Sequence, residues 1–249
     1  MSPDPTQDDT PAGSDPTSDA PAPTTRERIL SRALELFNER GIEYVGVREL
    51  ARELELQPGN ISYHFSTKDD LVLAIGLQLR ELNDATIALP GTPTLEGLLE
   101  TLRQAFRNHW RYRCLFLSLP KLLEQNEAMA EAYVRTREVE RRELLHGWLE
   151  RLVDGGLLRS GVTSEERWRI ATFCALVARG WIGEGRVSFP DASPEWRMDH
   201  YLHIVADHLE GYATPRGAAE LARFRATLGD GRVEAGEGHR EDPLRRFHA

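Results

Sequence analysis

Residues 29–71 read ILSRALELFNERGIEYVGVRELARELELQPGNISYHFSTKDDL, and this stretch decides the fold of the N-terminal part of the chain. Its apolar residues recur three and four positions apart, which is the spacing of amphipathic helices. Thr24 and Glu27 form a capping-box pattern before the first predicted helix, and Gly41 is suited to end it. A second helix follows, and Pro58, whose φ is already fixed, predicts the first turn of a third.

The third predicted helix is short, and its residues divide into an inward and an outward set. Ile61 and Phe65 lie four positions apart and are expected to face the interior. Two helices joined by a turn of about four residues form a helix-turn-helix unit, whose second helix enters the major groove of DNA. The outward residues supply groups that contact bases and phosphates, which predicts a DNA-binding helix. They are Gly59, Asn60, Ser62, Tyr63 and His64.

The whole stretch resembles the DNA-binding domain of the TetR family of bacterial repressors. Three short motifs, the closing glycine of the first helix and one lysine carry the resemblance: Ala33, Leu36, Phe37, Gly41, Arg48, Leu50, Ala51, Tyr63, Phe65 and Lys68. It implies that Arg48 and the outward face of the third helix contact DNA, that Tyr63 and His64 press on the backbone, and that Lys68 binds a phosphate. The expected DNA-binding residues are therefore Arg48, Gln57, Gly59, Asn60, Ser62, Tyr63, His64 and Lys68.

Two positions depart from the family pattern, which often has threonine or serine before the second helix and serine before the proline of the third. This chain has Gly46 and Gln57 there, and both are weaker N-caps. We therefore expect the first amide groups of these two helices to depend on water or DNA phosphate for their acceptors.

The rest of the chain predicts an all-α protein with four segments. Residues 1–24 hold five Asp and no Lys or Arg, with no large apolar side chain after Met1, and are expected to be a disordered acidic tail. The helix-turn-helix domain is placed at 25–70, and a larger helical regulatory and dimerisation domain at 71–212. Residues 213–249 are interpreted as a second tail, with one short helix as the alternative around 218–228. The formal net charge of −9 does not by itself point to nucleic acid, so the motif carries that prediction.

Family membership implies a small-molecule effector in the second domain and a homodimer built by the last two long helices, predicted near 165–184 and 194–212. Ligand control requires that the effector bind the arrangement of the dimer that cannot bind DNA more tightly than it binds the arrangement that can. Aromatic side chains with a few polar tips mark the candidate pocket: Phe106, His109, Trp110, Arg113, Phe116, Phe173 and Trp181. Simple core packing is the alternative for each of these residues.

Two other classes of function stay open as alternatives. His200, His203 and Asp207 share a helical face that could hold a metal in an enzyme, although no HExxH, GxSxG, P-loop or GxGxxG motif is present. A non-DNA adaptor that keeps the helix-turn-helix as a packing module would bury Asn60 and Tyr63. We predict no catalytic residue, no metal and no cofactor.

The expected cellular location follows from the lack of a recognisable membrane or secretion segment, and the expected redox state follows from the residues around the two cysteines. No apolar run approaches the ~20 residues that span a bilayer, and no secretion signal is recognisable, so a cytoplasmic protein without a membrane partner is expected. Cys114 and Cys174 sit in apolar contexts and are interpreted as core residues rather than a redox pair.

Overall fold

The computed structural model of the protein describes residues 22–87, 92–131 and 136–229. These residues form helices, and their only β pairing is an isolated bridge between Leu158 and Ala213. Along the chain lie α1 (Thr25–Arg40), a 3₁₀ turn (Ile42–Tyr44), α2 (Val47–Glu53), α3 (Pro58–His64), α4 (Lys68–Ile87), α5 (Leu95–Arg111), α6 (Arg113–Leu117), α7 (Leu119–Gln125), α8 (Glu127–Met129), α9 (Thr136–Asp154), α10 (Ser164–Ser188), α11 (Pro194–Glu210) and α12 (Pro215–Arg225). The predicted all-α fold, with a helix-turn-helix domain before a larger helical domain, is confirmed.

Helix α1 begins and ends as its sequence predicts. The Thr24 hydroxyl accepts from the Glu27 amide while the Glu27 carboxylate accepts from the Thr24 amide, which completes the capping box. At the other end Gly41 has φ +93°, a conformation that disfavours a residue with a Cβ. The apolar residues of α1 are buried in the N-terminal core: Ile29, Leu30, Ala33, Leu34, Leu36 and Phe37.

Helix α4 connects the two domains. Thr67 and Asp70 exchange hydrogen bonds at its start, where the Thr67 hydroxyl accepts from the Asp70 amide at 3.1 Å and the Asp70 carboxylate accepts from the Thr67 amide at 2.9 Å. Leu71, Val72, Ile75 and Leu79 pack in the N-terminal core, and the following turns contact α5. The predicted boundary between residues 70 and 71 thus falls inside one continuous helix, which packs on both domains.

The junction between α5 and α6 docks onto the DNA-binding domain. The side chain of Asn38 on α1 donates to the Arg111 carbonyl at 2.8 Å and accepts from the Cys114 amide at 3.0 Å. Tyr112, Cys114 and Leu115 are buried in the same core as α1. The second domain therefore completes the hydrophobic core of the first.

The second domain is organised around α5, which contacts α4, α10, α11 and α12. Phe106 of α5 stacks on Trp181 of α10 with ring centroids 5.3 Å apart, and both side chains are buried. Cys174 lies in this core and Cys114 in the other. Both are free thiols whose pKa burial raises to about 12, which agrees with core packing.

The interpretation of residues 213–249 as a tail is wrong for the part of that segment which the structure describes. Residues 215–225 form α12, the alternative that the sequence left open, and Leu221 and Phe224 are buried in the C-terminal core. Thr214 caps the helix by accepting from the Gly217 amide, and the buried Glu220 carboxylate accepts from the Leu95 amide at 2.8 Å. Residues 1–21 and 230–249, which hold the remainder of the predicted tails, lie outside the described part of the chain. Within that part no helix is both long and apolar enough to cross a membrane.

A candidate DNA interface and a regulatory cavity

The helix-turn-helix unit consists of α2, α3 and the four residues 54–57 between them. The Leu56 amide donates to the Ala51 carbonyl at 2.9 Å, which holds the turn against α2. Glu55 lies in the left-handed region with φ +55°, where a glycine would be unstrained. Pro58 occupies the first turn of α3, as predicted.

One face of α3 is anchored in the core and the other is open. Ile61 is fully buried and Phe65, at the end of the helix, is nearly so. Tyr63 is 86% exposed and Asn60 is also exposed. All eight predicted DNA-binding residues are exposed or half-buried: Arg48, Gln57, Gly59, Asn60, Ser62, Tyr63, His64 and Lys68. The burial of Asn60 and Tyr63 that an adaptor module would require is not observed.

Neither α2 nor α3 receives a side-chain cap. Gly46 and Gln57 occupy the N-cap positions, and no side-chain hydrogen bond reaches the first amides of the two helices from these residues. This matches the expectation from their weak capping propensity. Amide groups of both helices thus remain available to an acceptor from solvent or from a ligand.

Ion pairs on the inner side of α2 neutralise its two glutamates, Glu49 and Glu53. Arg32 of α1 contacts the Glu53 carboxylate at 2.6 Å, and Arg40 contacts Glu49 at 2.5 Å. The hydrogen bond from Arg32 lowers the pKa of Glu53, which therefore stays ionised and neutralised. Arg48 is exposed and forms no ion pair with any residue that the structure describes.

Lys68 lies at the start of α4, beside the helix-turn-helix. Its ammonium group is 5.8 Å from the centre of the Phe37 ring, and burial lowers its pKa, an effect that the Glu43 carboxylate partly offsets. Tyr44, which the sequence did not single out, is 80% exposed in the 3₁₀ turn that precedes α2. An aromatic residue between the closing Gly41 and the next helix was the available signal.

A cavity of about 680 Å³ lies in the second domain among α4, α5, α9 and α10, where Phe116 of α6 and Leu119 of α7 complete the wall. Two of the seven predicted pocket residues, His109 and Phe116, line it. The other five are Phe106, Trp110, Arg113, Phe173 and Trp181. They are not part of the described lining. Phe106 and Trp110 pack against Trp181, and the Arg113 guanidinium lies 4.9 Å from the centre of the Trp110 ring. The rings of Phe173 and His208 have their centres 4.1 Å apart.

Helix α9 contributes to this cavity, which the sequence did not predict. One side of that helix supplies charged and apolar residues to the wall: Glu140, Arg141, Arg142, Leu144, Leu145, Trp148 and Arg151. The signal was present as an apolar stripe on a long charged helix. Which neighbour that stripe faces is decided only when α9 packs on α10.

A buried polar network joins two residues of the cavity wall, Asn83 and His109, to Asn108. His109 Nδ1 lies 2.9 Å from the Ala178 carbonyl, which can only accept, so this nitrogen carries the proton and Nε2 accepts from the Asn83 amide at 3.3 Å. The Asn83 oxygen accepts in turn from Asn108 at 3.0 Å. Burial lowers the pKa of His109 to about 4, so the imidazole is neutral near pH 7. The network ties α4, α5 and α10 together.

The residues of the alternative metal site have other contacts. His200 stacks on Trp196, His203 Nε2 lies 3.3 Å from the Gly229 carbonyl, and the Asp207 carboxylate accepts from Arg225 at 2.7 Å. No cluster of metal-binding side chains occurs among the described residues.

The fold and both sites together define a class of protein, the two-domain helix-turn-helix regulator with a cavity in its helical second domain. Residues 29–75 match the family described as bacterial regulatory proteins, tetR family, and residues 79–221 match the one described as bacterial transcriptional repressor. The chain belongs to the TetR family. It is a DNA-binding transcriptional regulator and not an enzyme, and regulators of this family are ligand-responsive repressors.

Relatives and solved structures agree with this assignment. The chain is 30% identical over 199 residues to the HTH-type transcriptional repressor KstR2 of Rhodococcus jostii (strain RHA1), covering 76% of this chain and 92% of the relative. It is 27% identical over 175 residues to the HTH-type transcriptional regulator TcmR of Streptomyces glaucescens, covering 63% and 73% of the two chains. A TetR-family regulator from Marinobacter aquaeolei VT8 has the same fold, with a TM-score of 0.73 at 24% identity over 81% of this chain and 99% of that one.

Proposed function

We propose that this regulator binds operator DNA in the cytoplasm as a homodimer, with α3 of each protomer in the major groove, and that a small molecule in the cavity releases it. The observation that carries the proposal is the division of α3. Ile61 anchors one face, while Asn60 and Tyr63 point into solvent on the other. An outward amide and phenol on a short, rigidly packed helix suit groove recognition.

The exposed residues are assigned by the chemistry that each one offers. Asn60 pairs with an adenine edge, and Arg48 reads a base or holds a phosphate. Gly59 has open space where a Cβ would lie, so the DNA backbone can approach the helix closely. Lys68 binds a phosphate. Gln57, Ser62, Tyr63 and His64 complete the surface, and Tyr44 is added to it because of its exposure.

Substitution of Asn60 and Lys68 tests this assignment. Asn60→Ala should weaken binding to the operator by about 1 to 3 kcal/mol, because a bidentate contact to a base is lost. Lys68→Gln should weaken binding to all sequences and lower the slope of log affinity against log salt by about one. Both are measured in mobility-shift titrations on an operator first selected from genomic fragments.

Two exposed positions away from α3 provide the controls. Gln125→Ala on α7 removes an amide, and Arg169→Gln on α10 removes a cation, so both should leave operator affinity unchanged. The assignment is wrong if Asn60→Ala and Lys68→Gln bind the operator with the same affinity as the two control variants.

The dimer is supported by an apolar stripe along α10 that is left exposed by the residues the structure describes. Leu176 is 63% exposed and Val187 is 81% exposed, with Gly180 and Gly183 between them. Ile204 of α11 is a further exposed aliphatic residue. A face of this kind on two long antiparallel helices suits pairing with its own copy about a two-fold axis. Family members typically bind DNA as dimers.

Gly180→Arg tests the dimer without disturbing the protomer, because a Cβ at Gly180 would point into open space, with no described residue outside the adjoining backbone within 4 Å. The arginine would bring a charge into the centre of the pairing face, so sedimentation equilibrium should show a monomer and operator affinity should fall sharply. Gly161→Arg adds the same side chain at an exposed loop glycine with equally open surroundings and should remain a dimer. A Gly180→Arg protein that sediments as the wild type does would place the interface elsewhere.

A further inference from the structure

We infer that Arg26, in the first turn of α1, binds a phosphate of the DNA backbone beside the end of α3. The inference rests on the proposed function, because it adds a residue to the DNA-binding surface that α3 presents. Arg26 precedes residues 29–75, which match the family of bacterial regulatory proteins, so membership of that family assigns it no role.

The Arg26 side chain lies against the end of α3. Its guanidinium carbon is 5.1 Å from the centre of the Phe65 ring, and Phe65 is the buried C-cap of that helix. The last turn before this cap carries Tyr63 and His64, which belong to the proposed DNA-binding surface. The major groove is about 12 Å wide, close to the diameter of a helix with its side chains, so groups beside α3 face the phosphates that border the groove. In the proposed complex Arg26 therefore lies at the edge of the duplex.

Arg26 reaches this place because of the side of α1 on which it lies. At about 100° per residue, positions 26, 30, 33 and 37 share one side of the helix. Leu30, Ala33 and Phe37 are buried on that side, and Arg26 continues the row one turn closer to the start of α1. Arg28 is exposed as well, but it lies about 200° around the helix from Arg26. The two arginines thus occupy opposite sides of α1, and the ring contact at the end of α3 belongs to Arg26.

The N–H groups of Arg26 are available to a ligand. The side chain is exposed and forms no hydrogen bond or ion pair with any residue that the structure describes. The adjoining carboxylate, that of Glu27, accepts from the amide and the hydroxyl of Thr24 at 2.7 and 2.8 Å. Arg32 of the same helix differs, because it contacts the Glu53 carboxylate at 2.6 Å. A guanidinium that lies over a ring keeps N–H donors at its edges, and these suit a phosphate.

Lys68, the proposed phosphate ligand of α4, has the same kind of surroundings. Its ammonium group is 5.8 Å from the centre of the Phe37 ring, and it forms no ion pair with any other part of the described chain. It follows Phe65 by three residues. Two cations, one from α1 and one from α4, are thus each held near an aromatic ring of the N-terminal core close to the end of α3. A pair of positive charges at this end suits the phosphate backbone.

Salt-dependent DNA binding by the full chain tests the inference. Arg26→Gln should weaken binding to the operator and to a random duplex by the same factor, about tenfold or more, because a phosphate contact carries no sequence information. The slope of log affinity against log salt should fall by about one for each protomer bound. Arg26→Lys keeps the charge and should keep the slope. Fluorescence anisotropy titrations of both duplexes at several salt concentrations measure these quantities.

Arg28→Gln is the matched control, since it removes the same group from the opposite side of α1 and should keep the slope of the wild type. The inference is overturned if Arg26→Gln keeps that slope, or if Arg28→Gln lowers it as much. A loss of affinity at unchanged slope also overturns it, because Arg26 would then act only by packing on Phe65. Asn60→Ala separates this inference from the proposed function. Unchanged operator affinity in Asn60→Ala, together with a lowered slope in Arg26→Gln, contradicts the assignment of α3 and supports that of Arg26.

Discussion

Replacement of Gly217 by alanine is expected to destabilise the protein by about 3 kcal/mol, a loss of roughly 10 °C in melting temperature for a domain of this size. A Cβ at this position would lie 2.1 Å from the Leu157 carbonyl oxygen and 3.0 Å from Leu95 Cδ1. The first contact is with backbone, so α12 would have to move away from the loop after α9. Thermal and denaturant unfolding of the full chain measures the effect.

Gly147→Ala is the matched control, since it makes the same change inside α9, where a Cβ meets nothing within 4 Å. Alanine is the better helix former, so this variant should gain up to about 1 kcal/mol. If Gly217→Ala has the melting temperature of the wild type while Gly147→Ala is stabilised, the close packing of α12 on Leu157 is wrong.

Acidification is expected to cost the protein about 3 kcal/mol through His109 alone. The pKa of this histidine is about 4 in the folded state and near 6.5 when unfolded, and each pKa unit corresponds to about 1.4 kcal/mol. Between pH 6.5 and pH 4 this histidine is protonated in the unfolded chain but neutral in the folded chain. The free energy of unfolding therefore falls as the pH is lowered from 6.5 toward 4. Above pH 6.5 the histidine is neutral in both states and its contribution is complete.

His109→Gln isolates this effect from the titration of other groups. Glutamine keeps a neutral donor for the Ala178 carbonyl but has no proton to gain in this range. The difference in unfolding free energy between the wild type and the variant should therefore shift by about 3 kcal/mol in favour of the variant between pH 7 and pH 4. If the free energies of unfolding of the two proteins change with pH in parallel, the assignment of His109 as buried and neutral is wrong.

The DNA-binding domain was predictable because its signals are local. The capping box at Thr24, the closing Gly41 and the proline at position 58 each act within one turn of helix, and each is found where the sequence placed it. The outward set on α3 followed from the period of the helix once Ile61 was assigned inward. The contacts of this set with DNA stay predictions.

The cavity was not predictable in the same way. Aromatic residues on α5 and α10 suggested a pocket, but Phe106, Trp110 and Trp181 fill the core together instead. The actual wall depends on α9, whose arginines reach the cavity because of the way that helix packs on α10. No local pattern distinguishes an arginine in a cavity wall from one on a solvated face.

The sequence by itself determined that the chain is helical, that it carries a helix-turn-helix and which residues of α3 face outward, since spacing, caps and breaks are properties of neighbouring residues. Tertiary structure alone decided that 215–225 is a core helix, that α6 completes the N-terminal core and that arginine side chains of α9 and α10 line the cavity. These features join segments far apart in the chain. Their free energy comes from burial between helix faces, and a single segment does not reveal which face it will meet.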